Sequence, residues 1–263
     1  MRKFIISSTL SVTLAASTTA AVPALKGFDY GNAGAPVGNE WESPELLAYN
    51  KQQPRAYFFS FASVENARKV LPENSIYYQS LNGDWKFNWV NTPEKRPKEF
   101  YRSDYDVSEW DNIAVPGCWN VQGILPDGSM KYGVPVYVNQ PVIFQHKVAV
   151  DDWRGGVMRT PPEHWTTYKD RNEVGSYRRT FTIPDNWNGR EIYINFDGVD
   201  SFFYLWINGS YIGFSKNSRN TATFDITDFV VKGENSVAVE VYRSSDGSFL
   251  EAQDMFRLPG IIR

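Results

Sequence analysis

Three short runs place apolar residues at every second position, the two-residue period of a strand. Ile192, Ile194 and Phe196 fall on one face, with Glu191, Tyr193 and Asn195 on the other. Phe203, Leu205 and Ile207 repeat the pattern, as do Val237, Val239 and Val241. Asn208-Gly209 follows the second run directly. A type I′ turn needs positive φ at both central residues, which Asn-Gly accepts, so the pair predicts a two-residue hairpin. Asp185 to Gly189 and Lys232 to Asn235 predict further turns. From Ile76 onward, strand signals separated by turns dominate and helical periodicity is almost absent. The expected class is all-β, an antiparallel sandwich.

Composition agrees with that class. The chain has 263 residues, enough for one large domain or two small ones, and 42% are hydrophobic, so a real core is attainable. Aromatic residues make up 16%. Tyr, Trp and Phe favour strands, and their ring faces also suit sugar rings. The net charge of −3 gives no basic footprint for nucleic acid.

Residues 1–21 are expected to be an export signal. Arg2 and Lys3 form a basic start, Phe4 to Ala16 is mostly apolar, and small residues through Ala21 offer a cleavage site. The apolar stretch is short of the roughly 18 residues of a membrane span, so no membrane insertion is expected. Loss of Arg2 and Lys3 leaves 25 Lys and Arg against 30 Asp and Glu, a net charge of −5. Cys118 is the only cysteine, so no internal disulfide is available, and no lipid-anchor Cys follows the signal. A periplasmic or secreted location is expected.

Residues 22–74 carry few patterns. Gly27, Gly31, Gly34, Pro36 and Gly38 mark an extended arm, and 41–45 is expected to start one helical turn. The domain proper is expected over 75–263. Residues 145–172 break the strand regularity with Arg154-Gly155-Gly156 and Pro161-Pro162, which predicts a long surface loop.

No phosphate-binding loop, dinucleotide fingerprint, zinc-protease motif or nucleophile elbow occurs. His146 and His164, the only histidines, read as surface residues of the long loop. Cys118 reads as a small buried residue beside Trp119 rather than a nucleophile. Asp84, Asp197, Asp200 and Asp225 read as turn residues bonding their own backbone. Two stretches resist such readings. One is Tyr132-Gly133-Val134-Pro135-Val136-Tyr137-Val138-Asn139-Gln140-Pro141, where two prolines bracket an Asn whose amide both donates and accepts. The other is the acid-rich run from Ser244 to Arg257, where an Asp suits hydroxyl groups or a hard cation.

Several motifs, in order, resemble the N-terminal part of glycoside hydrolase family 2 β-galactosidases. They begin at Trp41-Glu42-Ser43-Pro44-Glu45 and Asn50-Lys51. They continue through Ser80-Leu81-Asn82-Gly83-Asp84-Trp85-Lys86-Phe87, Val115-Pro116-Gly117-Cys118-Trp119, Pro135-Val136-Tyr137-Val138-Asn139 and Gly175-Ser176-Tyr177-Arg178-Arg179-Thr180-Phe181. They end with Phe196-Asp197-Gly198-Val199-Asp200-Ser201 through Gly260-Ile261-Ile262-Arg263. The resemblance implies a jelly-roll β-sandwich that binds sugar, with the catalytic glutamates of a retaining double displacement on a barrel outside this chain. Glu251 is therefore not expected to be catalytic. The resemblance also implies that Asn139 reaches the galactosyl pocket and that Asp254 binds sugar hydroxyl and a sodium ion. A magnesium ion and homo-oligomerisation are implied for the full-length parent alone. Departures stand at Ser244, Ala252, Phe256 and Pro259, where the family commonly has Trp, an acid, Trp and a small residue. They leave the aglycone preference open. A standalone carbohydrate-binding module and a family 2 hydrolase of other specificity, such as a β-glucuronidase, are the alternatives.

Overall fold

A computed structural model describes residues 40–42, 46–135, 172–251 and 258–263. The strands are β1 (Ala48–Tyr49), β2 (Gly83–Val90), β3 (Asp111–Val115), β4 (Val174–Ile183), β5 (Tyr193–Phe196), β6 (Val199–Asp200), β7 (Phe202–Ile207), β8 (Ser210–Ser215), β9 (Ala222–Asp225), β10 (Gly233–Tyr242) and β11 (Gly260–Ile261). Seven form one sheet in the order β1-β8-β7-β10-β4-β2-β3, while β5 pairs with β9 and β6 with β11. Every one of these pairs is antiparallel. Helical content among the described residues is confined to short pieces, including α1 (Val64–Arg68), α2 (Trp119–Gln122) and α3 (Ser248–Glu251). None is long and apolar enough to cross a membrane.

The predicted alternation becomes the sandwich core. Ile192, Ile194 and Phe196 meet Phe203, Leu205, Ile207, Val237, Val239 and Val241 in one buried cluster. Close packing of these faces is the main favourable term for the fold. Asn208 and Gly209 have φ of 50° and 82° and join β7 to β8 with Ile207 opposite Ser210, the expected hairpin.

The outer face of the large sheet is buried too. Phe202, Tyr204 and Trp206 of β7 pack with Phe100, Tyr101, Phe214 and Tyr242. A strand buried on both faces loses the polar half of its alternation, and β7 is buried at every residue. Part of the N-terminal arm supplies the cover. Trp41 stacks on Tyr242 at 5.5 Å and 22°. The Tyr204 hydroxyl donates to Glu40 at 2.5 Å. β1 completes the edge, with Ala48 opposite Ser215 and Tyr49 opposite Phe214. These stretches of the arm are therefore part of the domain. Of the expected helical turn at 41–45, the described part is a single 3-10 turn at Glu40–Glu42.

Candidate functional site

β10 runs out at Tyr242 into Arg243-Ser244-Ser245-Asp246, and this stretch makes a series of buried polar contacts. The Arg243 guanidinium donates to Glu173 Oε1 at 3.0 Å and to the Val134 carbonyl at 2.8 Å. Both members of that ion pair are 1% exposed. Asn172 and Ser244 exchange two bonds, Asn172 Nδ2 to Ser244 O and Ser244 N to Asn172 Oδ1, each 3.0 Å. Asn120, fully buried, donates to the Tyr132 carbonyl at 2.7 Å. The described ends on either side of 136–171 are thus both fastened to Arg243 and Ser244.

The next residues knit together the neighbouring loops. Ser201 Oγ donates to Ser245 Oγ at 3.0 Å, and Ser248 Oγ to Ser201 Oγ at 3.3 Å. Lys216 and Asp246, both largely buried, pair at 2.7 Å. Glu251, the last residue of α3, accepts the Ser218 backbone N–H on one oxygen at 2.8 Å and the Ser218 hydroxyl on the other at 2.5 Å. On the far side of 252–257, Gly260 pairs with Asp200 and Ile261 with Val199. The Trp119 N–H donates to the Pro259 carbonyl at 3.2 Å and the Gly117 N–H to that of Ile261 at 2.8 Å. Gly260 has φ of 142°, and a Cβ there would lie 2.4 Å from the Gly117 carbonyl oxygen, so glycine is required.

Asp200 sits where these threads meet. Its Oδ1 is 3.4 Å from the Ser218 hydroxyl, and Arg219 approaches Oδ2 at 4.0 Å. Burial, followed by the like charge of Glu251, pushes its carboxyl up to about 6. Asp200 is therefore more than a turn residue. Asp197 accepts from the Thr221 hydroxyl at 3.1 Å, again across a loop rather than within its own turn. Asp225 behaves as expected, accepting from the Thr227 N–H and hydroxyl, and Asp84 lies in β2.

Asn139 and Asp254 lie outside the described residues, as do His146, His164 and the export-signal stretch. Cys118 is half-buried and its burial pushes the thiol up, which suits a packing residue. No group of three or more metal-ligating side chains occurs among the described residues. Sequence reading missed Ser218, Asn172 and the Arg243–Glu173 pair. A signal was present in the unusual Ser-Ser-Asp run after β10, but its partners Ser201 and Asn172 are 44 and 72 residues away.

The sugar binding domain model of glycosyl hydrolases family 2 matches residues 78–263. A β-galactosidase of Priestia megaterium is 40% identical over 225 residues, which are 85% of this chain and 20% of that protein. One from Halalkalibacterium halodurans is 39% identical over 218 residues, 83% of this chain and 19% of that protein. The chain spans about a fifth of the length of these curated relatives. Among solved structures, a β-glucuronidase of Bacteroides uniformis aligns with a TM-score of 0.47 at 21% identity, covering 70% of this chain and 17% of that one.

Proposed function

The chain belongs to glycosyl hydrolases family 2, as its sugar binding domain, and from that premise we propose that it is the substrate-binding N-terminal portion of a β-galactosidase. The enzyme releases terminal non-reducing β-D-galactosyl groups with retention. One observation carries the reading. The described ends of the stretch bearing Asn139 and of the stretch bearing Asp254 are all fastened within one corner, by Arg243, Ser244, Glu251 and Asp200. Rigid anchoring of both bases is what a site assembled from two loops requires.

In this reading Asn139 contributes an amide that donates to and accepts from galactosyl hydroxyls. Asp254 accepts from a hydroxyl and offers hard carboxylate oxygen to a sodium ion. The oxygen-only chemistry of that residue fits sodium, which supplies a fixed positive charge beside the sugar when bound. Any magnesium site belongs to the rest of the enzyme, as do the two catalytic carboxylates. The fragment binds and orients, and by itself is inactive. Arg2, Lys3 and the apolar stretch after them support export, to the periplasm or beyond. The full-length enzyme is proposed to be a homo-oligomer.

The test is the specificity of the full-length protein. Nitrophenyl β-galactoside, β-glucuronide and β-mannoside are assayed side by side, each with and without sodium. The galactoside is expected to be turned over at least tenfold faster than the others. Preference for the glucuronide would overturn the reading, and turnover by the isolated chain would refute the division of labour.

A further inference from the structure

A second recess lies away from that corner. Residues 51–60, the Tyr77–Asn82 stretch, Trp187 and the β5–β9 pair line a cleft of about 1070 Å³, to which no residue of 243–251 contributes. That volume suits a ligand rather than a packing fault. Tyr57 and Phe58 are 66% and 61% exposed on its wall, where large apolar side chains gain nothing from solvent.

The charges of the cleft are uneven. Lys51, Arg55, Arg190 and Arg263 line it, against the carboxylates Glu191 and Asp197. Those two acids are engaged with hydroxyls, Glu191 with Tyr193 at 2.9 Å and Asp197 with Thr221 at 3.1 Å. None of the four cations forms an ion pair among the described residues. The cleft is thus locally positive in a chain whose net charge is −3.

The arginines also lie over rings. The Arg55 guanidinium carbon lies 4.8 Å from the centre of Phe58 and 5.6 Å from that of Tyr193. Arg190 lies 4.3 Å over Tyr77. Arg190 also donates from Nε to the Asn186 carbonyl and from Nη2 to the Tyr77 hydroxyl, both long bonds of 3.4 Å. A guanidinium over a ring still turns its remaining N–H groups toward an oxyanion, while neighbouring ring faces stay available for apolar contact. Oxyanion forks beside exposed aromatic faces match a ligand that alternates both chemistries. A carboxylated or sulfated pyranose does so, since its C–H face stacks and its acid group takes the fork.

We propose that this cleft is an acidic-oligosaccharide site, taking uronate-bearing or sulfate-bearing sugar chains, with Arg55 and Arg190 as the anion forks and Tyr57 and Phe58 as stacking faces. It is independent of the β-galactosidase reading and stands or falls without it. In a hydrolase it would hold a charged polysaccharide near the enzyme without cutting it.

Titration calorimetry of the protein with hexagalacturonate, a sulfated galactan hexamer, neutral β-1,4-galactohexaose and hexaglutamate tests it. At least one acidic sugar is expected to bind ten times or more tightly than the neutral hexamer, and to weaken as salt rises from 50 to 500 mM. Arg55→Gln with Arg190→Gln is expected to lower that affinity at least tenfold while thermal stability stays unchanged. Tyr57→Ala with Phe58→Ala lowers it too. Equal binding of the neutral hexamer, equal or tighter binding of hexaglutamate, no binding of either acidic sugar, or indifference to the arginine pair would each overturn the assignment.

Discussion

Glu251 grips Ser218 with both carboxylate oxygens, one on the backbone N–H and one on the hydroxyl. Charge-assisted bonds of this kind are the stronger class, and these two join α3 to the β8–β9 loop. Glu251→Ala is expected to destabilise the chain by about 1.5–3 kcal/mol in urea unfolding, with Glu251→Gln recovering part of it. An unchanged midpoint for the alanine variant would show that the grip contributes nothing.

Arg243 and Glu173 are buried together, and the Val134 carbonyl depends on the same guanidinium. Removing one member strands the other in a low-dielectric interior. Arg243→Met is expected to cost about 3–5 kcal/mol. The double variant Arg243→Met with Glu173→Leu is expected to be more stable than the single one. Denaturant midpoints decide, and equal or greater loss in the double variant would contradict the buried-charge account.

Glu40 is pushed up to about 7 by burial, against the opposing bond from Tyr204. Its folded value thus exceeds its unfolded one. The native state holds the proton more tightly, and this contribution to stability is full below about pH 4.5 and lost as pH rises through about 7. Glu240, buried and opposed by Arg96, is also raised to about 7, and Asp200 to about 6. Stability is therefore expected to fall between pH 5 and 8. Glu40→Gln, which still accepts from Tyr204, should reduce that fall by roughly 2 kcal/mol. Unfolding curves at pH 5 and 8 provide the check, and an unaltered difference would mean Glu40 does not carry it.

In the full-length enzyme, Asp254→Ala is expected to remove sodium dependence and most activity. Asn139→Ala is expected to weaken galactoside affinity by about 1–3 kcal/mol, the value of a lost buried hydrogen bond. Steady-state kinetics across a sodium series read both. A wild-type sodium response in Asp254→Ala would detach that residue from the cation.

The inner faces of β5, β7 and β10 were legible because alternation at positions such as Phe203, Leu205 and Ile207 is a local signal. The outer face was not. No local pattern marks Tyr204, Glu240 or Glu40 for burial, which comes from tertiary cover by Phe100, Tyr101, Trp41 and the arm. The corner was hidden for a related reason. Ser218 and Glu251 are 33 residues apart, and Asn172 and Ser244 are 72 apart, so no window of sequence brings them together. Asp200 was misread as turn chemistry because a strand-end Asp normally bonds locally, whereas here the β6–β11 pairing and Ser218 surround it.

The tie between Val134 and Arg243 and that between Asn172 and Ser244 close the base of residues 136–171. Such a closed base decouples the length of what it encloses from the sandwich beneath, since doubling a loop costs only about 0.6 kcal/mol in closure entropy. Descendants of this domain can therefore lengthen, shorten or rewrite that stretch while the scaffold persists, and substrate preference becomes a heritable variable separate from foldability.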